Sequence, residues 1–380
     1  GDQNKERDQS RDHKKNLYKV NKLAAQYFHA NLMGMSRVSP VWKYIESRGL
    51  APSTIEKFQI GLALDEWEGL TRFLTQKNIP TALAKEAGLI KAREGKPGFY
   101  DLFRHRLMFP IYSMLGEVVG FGGRVLDDAQ PKYLNSPESV VFHKGKNFYG
   151  ISEAAKYIRA SDQAVVVEGY MDQISLFQAG VTNVIATLGT ALTTDHAKAL
   201  KRLTKNVVVL FDGDAAGKSA AERSLPILLE NGLIPKGLTL SDELDPDEFV
   251  MEKGSEALKE LLDSCPELFH VIMNRWLEGY RNEAGQKLAL VDRLAPLFGG
   301  ISDVRLASLY LKEAANLLGV TEAWLKQALL ETQKNTLGLA GAKKDSKSVP
   351  QTGPAHPGQA QANQNLRVLE QPSMPQTVSV

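Results

Sequence analysis

Cysteine is almost absent from this chain: Cys265 is the only one in 380 residues. One thiol excludes an internal disulfide and any cysteine-based zinc cluster. Its neighbours Leu261, Leu262 and Leu268 make a helical apolar pattern in which a free cysteine packs as a small hydrophobe. Long apolar runs are missing too, and none approaches the roughly 20 residues that a bilayer span needs. The opening stretch, Gly1 to Lys15, is charged throughout, and no apolar stretch of signal-peptide type follows it. It lacks an initiator methionine and reads as a linker from something longer. The expectation is a soluble, cytoplasmic protein with no membrane partner. Excess charge is also lacking, since the net value is +2. That balance hides an asymmetry. Residues 1–150 carry 23 basic and 16 acidic side chains (+7), residues 151–335 carry 19 and 26 (−7), and the rest 4 and 2 (+2). A basic half joined to an acidic half suits a polyanion held beside bound cations.

What is present is ordinary globular composition, with 43% hydrophobic and 24% charged residues, and room for two or three compact units. After the linker at 1–15, residues 16–100 alternate short helical patterns with Gly and Pro, as in Val41 to Arg48 closed by Gly49. Met108 to Tyr112 and Val118 to Phe121 flank a turn around Gly116, a hairpin signal, and Pro110 points to an edge strand. A small mixed, basic N-terminal subdomain over 16–150 follows. Ala164 to Val167, Val184 to Thr187 and Val207 to Phe211 are continuous apolar runs, as in strands covered on both faces of a parallel sheet. Helical patterns separate them, with Thr193 and Thr194 as candidate caps, so an α/β domain is expected over 151–250. Leucine stripes from Leu258 to Leu317 predict a helical bundle over 251–334. From 335 to 380 the composition turns to Gln, Pro, Gly, Ser and Ala without period and reads as a disordered linker.

Three acidic sets follow strand patterns: Glu168, then Asp212 and Asp214, then Asp245 and Asp247. Strand ends are where α/β folds place their sites. Five carboxylates on one edge would repel unless cations sat between them. Oxygen ligands with no Cys or His favour Mg²⁺ or Mn²⁺ over zinc. Such a set suits phosphoryl transfer by two metals roughly 4 Å apart. Asp-Gly-Asp and Asp-Pro-Asp also suit plain turns, but their joint position at strand ends favours a site. Gly213 to Ser219 approximates a phosphate loop, yet Asp212 stands in the first glycine slot, where it would face phosphates without a cation. Gly120 to Gly123 precede no helix pattern and read as close backbone approach inside a sheet.

Arg104, Arg106, Arg124, Lys132 and Lys144 are interleaved with Tyr133, Asn135 and Ser136. Cations of this kind hold phosphates, and the aromatic and amide groups contact bases or sugars. Five acidic residues within the same stretch, 101–150, leave an ordinary solvated surface equally open.

The strings from Val166 to Asp172, Phe211 to Asp214 with Ala216 and Gly217, and Asp245 to Asp247 resemble the Toprim site of bacterial DnaG-type primases. Arg104 to Pro110, Gly120 to Val125, Pro131 to Pro137 and Phe142 to Lys144 resemble that family's basic motifs, and Tyr44 to Gly49, Phe58 to Gly61 and Ala87 to Ile90 its amino-terminal subdomain. The resemblance spans residues 17 to 330 and makes 151–250 a Toprim catalytic domain. It implies template-directed synthesis of short RNA primers on single-stranded DNA from ribonucleoside triphosphates. Glu168, Asp212 and Asp214 would carry the metals, Asp245 and Asp247 would complete the acidic site, and Asp172 would orient it from behind. Arg104, Arg106, Arg124, Lys132, Tyr133, Asn135, Ser136 and Lys144 would guide DNA or nucleotide. Glu243 departs from the glycine frequent in the family. A zinc-binding module and the replicative helicase would engage through parts outside this chain. A Toprim nuclease or topoisomerase-like enzyme, and a non-catalytic module of a replication complex, are the competing readings.

Overall fold

Apolar residues in the middle of the chain divide by alternation between two cores. The computed structural model describes residues 2–240 and 244–345. Its contacts divide the chain into Gly1–Lys334 and Asn335–Val380, and the fold below is that of the first unit. Strands β7 (Ala164–Val167), β8 (Val184–Ala186), β9 (Asn206–Leu210) and β10 (Ile234–Leu238) form a parallel sheet in the order β10-β9-β7-β8. Val166, Ile185, Val207 and Val209 enter one core, with Leu225 and Leu228 of α9 (Ala215–Glu230). Val165, Val167, Val184, Val208 and Leu210 enter the other, with Ile174 of α7 (Tyr170–Gln178) and Phe249 of α10 (Pro246–Lys253). Burying each such side chain contributes roughly 1.5–3 kcal/mol relative to exposure. A one-residue slip would exchange the two sets, so register is strongly specified. Helix α8 (Thr194–Lys201) starts as expected, with the Thr193 side chain accepting the His196 N–H at 3.1 Å.

The N-terminal part carries an antiparallel sheet in the order β1-β4-β5-β6, from Gly61–Ala63, Arg106–Tyr112, Val118–Val125 and Tyr133–Asn135. Helix α1 (Asp2–Met33) packs against β1 and β5. A Cβ on Gly61 would lie 2.5 Å from the Phe28 backbone, so the strand approaches the helix as only glycine permits. Residues 2–15, expected as a linker, are instead the first turns of α1. No Gly or Pro interrupts Asp2–Met33, and the buried stripe of Leu17, Val20, Ala24, Phe28 and Leu32 anchors a helix that then propagates into the charged segment. The expected hairpin is β4 with β5. Pro110 is not on an edge strand, because β4 pairs on both sides; it lies beyond the reach of the three-residue β1, where its missing N–H costs no bond on that side.

Helices α11 (Ser255–Ser264), α12 (Leu268–Trp276), α13 (Ala284–Gly300), α14 (Val304–Leu318) and α15 (Glu322–Asp345) follow. Leu268, Leu294, Leu318 and Leu325 share the core that holds Val166 and Val209, so the bundle is built onto the sheet. Helix α15 ends at Asp345, past the boundary expected at 335 between bundle and linker. Residues 346–380 of that expected linker, and Glu243, lie outside the described residues. Cys265 is buried, its thiol on the Leu262 carbonyl at 3.1 Å. Among the described residues no helix is long and apolar enough to cross a membrane.

Candidate active site

Strand order reverses between β7 and β9, since the chain leaves β7 for β8 on one side and then places β9 and β10 on the other. A crevice opens at such a point, beyond the carboxyl ends of the strands. Glu168 follows β7 directly, and Asp212 and Asp214 follow β9. Asp214 caps α9, its Oδ1 accepting the Gly217 N–H at 2.7 Å. A Cβ on Gly217 would stand 2.2 Å from the Asp212 carbonyl oxygen, so glycine is what lets α9 begin against that backbone. Asp245 stands at the start of α10, and its N–H donates to Glu248 at 3.4 Å. Asp247 is buried and takes Arg48 Nη1 on Oδ2 at 3.2 Å. Asp212, Gly213, Asp214, Lys218 and Asp245 line one polar cleft.

The carboxylates act on one another. Burial, then Asp247, Asp212 and Asp245, push Asp172 up to about 8 from an ordinary 3.8, against the Gly169 N–H that donates to its Oδ2 at 3.1 Å. Burial, then Glu168, Asp245, Asp214 and Asp247, push Asp212 up to about 6. Glu168 and Asp245 are raised in the same way, burial first, with Lys132 and Arg48 opposing the rise at Asp245. Glu168 Oε1 and Asp212 Oδ1 are buried without a protein partner. Such oxygens are costly unless something polar meets them, and unpartnered acid oxygens at the ends of neighbouring strands fit a divalent cation. Among the described residues no three carboxylates already close around a single point that could hold an ion.

The basic stretch separates into groups. Arg124 lies over the Tyr44 ring at 4.3 Å, with its Nε buried and unpartnered. Tyr133 stacks on Tyr170 at 5.9 Å, and Tyr170 donates to Asn135 Oδ1 at 2.6 Å, while Asn135 Nδ2 donates to the Leu188 carbonyl at 2.8 Å. Gly122 of β5 makes room for this ring: a Cβ there would lie 2.3 Å from Tyr170, the close approach expected of the glycine run. Two residues expected to touch DNA or nucleotide are buried and bonded within the fold. Arg106 is buried, and its Nη1 is spent on the carbonyls of Gly123, Pro131 and Lys132 at 3.1, 3.0 and 3.4 Å. Ser136 is buried, its Oγ accepting the Phe121 N–H at 2.9 Å. Lys144 is half-buried on a loop held by Glu138, which accepts its N–H at 2.9 Å. Arg104 stands with another group, 4.1 Å from the centroid of the exposed Trp67 ring and 5.3 Å from Tyr100.

Family models match three segments: "DNA primase catalytic core, N-terminal domain" over residues 27–155, "Toprim-like" over 165–250, and "DnaB-helicase binding domain of primase" over 273–323. The crystal structure of a DNA primase domain from Pseudomonas aeruginosa superposes with a TM-score of 0.77 at 34% identity, covering 82% of this chain and 99% of that one. A DnaG primase catalytic domain solved bound to single-stranded DNA gives 0.74 at 32%, with 82% and 99% covered. The chain belongs to the bacterial DnaG-type primase family. The DNA primase of Clostridium acetobutylicum is 40% identical over 307 residues, 80% of this chain and 50% of that protein. The chain thus spans about half the length of the curated primases it matches. The third match runs from α12 to the start of α15, so the helicase-binding segment expected outside this chain has its counterpart within it, where the sequence had shown only helical stripes.

Two groups of this primase core escaped the sequence reading. Arg48 reaches Asp247 across 199 positions and sits beside the ring of Tyr44. Trp67 underlies Arg104. Arg48 lay in a string noted only for its resemblance, and nothing in its charge set it apart from other surface arginines.

Proposed function

We propose that this chain is the RNA-polymerase core of a bacterial primase, joining ribonucleotides into short primers on single-stranded DNA. The observation that carries the reading is the set of carboxylates at the β7/β9 reversal with two buried, unpartnered oxygens. Glu168, Asp212 and Asp214, completed by Asp245 and Asp247, would hold Mg²⁺ or Mn²⁺. A pair of such ions supplies charge stabilisation for the attacking and leaving oxygens of nucleotidyl transfer. The protein supplies position. Arg48 fixes Asp247, and the Asp214 cap fixes the start of α9. Asp172, whose carboxyl burial and the neighbouring acids push up to about 8, accepts the Gly169 N–H and so sets the turn that carries Glu168. Lys132 acts on Asp245, and Tyr133 is acted on by Arg124 and Asp172; the three would meet triphosphate or template. Arg104 on Trp67, with Tyr100, offers a cation beside an aromatic face of the sort that carries unpaired bases. A relative binds single-stranded DNA, in keeping with that role. The replicative helicase would engage at 273–323, and a zinc-binding module through a segment outside this chain; such work belongs in the cytoplasm.

The test is incubation with single-stranded DNA, ribonucleoside triphosphates and Mg²⁺ or Mn²⁺, with Asp212→Ala in parallel. Short template-dependent RNA that vanishes in the variant is the expected result. Cleavage of the DNA instead would establish a nuclease. Neither product, even with a primase zinc-binding module added, would leave a non-catalytic binding module.

A further inference from the structure

A second ionic cluster lies outside the acidic cleft, on α9. The Glu222 carboxylate pairs with Arg275 through Oε2 and with Arg293 through Oε1, the latter at 2.8 Å. Arg275 Nη1 also donates to the Lys218 carbonyl at 2.9 Å, one turn nearer the start of α9. The Lys218 N–H in turn donates to the carbonyl of Asp214 at 3.1 Å. Arg293 is braced over the Trp276 ring at 4.2 Å. Burial opposes the charge of Glu222, but its arginines outweigh it and hold the carboxyl below the ordinary carboxylate range.

This is not a solvated pair of the common kind. The Arg275 and Glu222 side chains are 27% and 30% exposed, against 90% for Arg305 in its pair with Asp303. An exposed pair contributes little, whereas a forked guanidinium sheltered from water fixes geometry. Arg275 stands on α12, so the fork ties another helix to the first turns of α9. Those turns carry the acidic site: Asp214 is the cap, and Gly217 is seated against the Asp212 backbone. A rotation of α9 would move both aspartates. We infer that Arg275 and Glu222 are positioning residues, clamping the start of α9 so that Asp212 and Asp214 stand at the separation a divalent cation requires. The inference rests on the proposed metal-dependent role of those aspartates.

The test is Mn²⁺ binding by the whole chain, measured by electron paramagnetic resonance, for wild type, Glu222→Gln, Arg275→Lys and, as a control, Arg305→Ala. Partners that orient metal ligands typically contribute tenfold or more to affinity, so Glu222→Gln is expected to weaken Mn²⁺ about tenfold. Arg275→Lys keeps the charge but loses the fork, and its loss should be smaller. Arg305→Ala should bind as wild type does. In primer synthesis the two clamp variants should need more Mn²⁺ yet regain the wild-type rate at saturation, which a general folding defect would not allow. Should Glu222→Gln fail to fold, Arg275→Lys decides. Unchanged Mn²⁺ affinity in a folded clamp variant overturns the inference while leaving the proposed function standing. A wild-type chain that binds no Mn²⁺ overturns both.

Discussion

Asp101 and Asp212 are both aspartates withdrawn from water, and they are handled in opposite ways. Asp101 accepts the N–H of Leu70 at 2.7 Å, the N–H of Thr71 at 2.9 Å and the Thr71 hydroxyl at 2.6 Å, so both oxygens are met by the first turn of α4 (Gly69–Gln76). Asp212 leaves Oδ1 buried and unmet, with four other carboxylates acting on it. The first arrangement uses an acid to hold a helix. The second holds acids in place against their own repulsion and is complete only with something positive added. Unmet oxygens, rather than acidity or burial, therefore mark the acidic cleft as a site.

The largest effect should come from Asp212→Ala, which should lower primer synthesis by about a hundred- to a thousandfold, the range for loss of one transition-state electrostatic contact. Its metal-free stability should hold or rise, since a source of repulsion is gone. Asp101→Ala should do the reverse. Stranding the buried N–H groups of Leu70 and Thr71 should lower the urea unfolding free energy by roughly 1–3 kcal/mol, with Mn²⁺ affinity unaltered. If Asp101→Ala also abolished metal binding, the division between the two acids would collapse.

The next effect is one of pH. Asp172 and Asp212 have folded values of about 8 and about 6, above an ordinary 3.8. The folded state therefore binds more protons than the unfolded state across that window, and stability must fall as pH rises through it. Without metal, the melting temperature should decline from pH 5 to pH 8. Added Mg²⁺ should raise it more at pH 8 than at pH 5. A Mg²⁺ shift independent of pH would mean that the ion does not replace those protons.

Legibility in the sequence followed the range of the interaction. The parallel strands could be read because each residue of Ala164–Val167 faces an apolar core whichever way it points, leaving a continuous run. The acidic residues could be read because strand ends and helix caps are local features. Arg48 could not, since its meaning depends on a partner 199 positions away. The burial of Arg106 and Ser136 could not be read for the same reason: an arginine whose Nη1 meets backbone carbonyls has the same sequence signature as one in the open. The first turns of α1 were lost because a polar segment without its own apolar stripe takes its helix from the segment that follows.

The smallest predicted effect runs opposite to the acids in pH. His196 is buried against Phe148, with ring centroids 4.3 Å apart, its Nε2 on the Asn147 carbonyl at 3.0 Å and its Nδ1 taking the Thr193 N–H at 3.3 Å. One ring nitrogen must donate and the other must accept, so the site requires neutral imidazole. Burial lowers its affinity for a proton below the ordinary 6.5, against the carbonyl of Asn147. The unfolded chain then takes up the proton first, and stability is lost as pH falls below about 6.5. Acids with raised values penalise high pH, whereas this histidine penalises low pH. In His196→Gln the acid-side decline in melting temperature should flatten while the Mg²⁺-dependent rise at pH 8 stays. An unchanged acid limb would place the low-pH loss on other groups and leave His196 as packing alone.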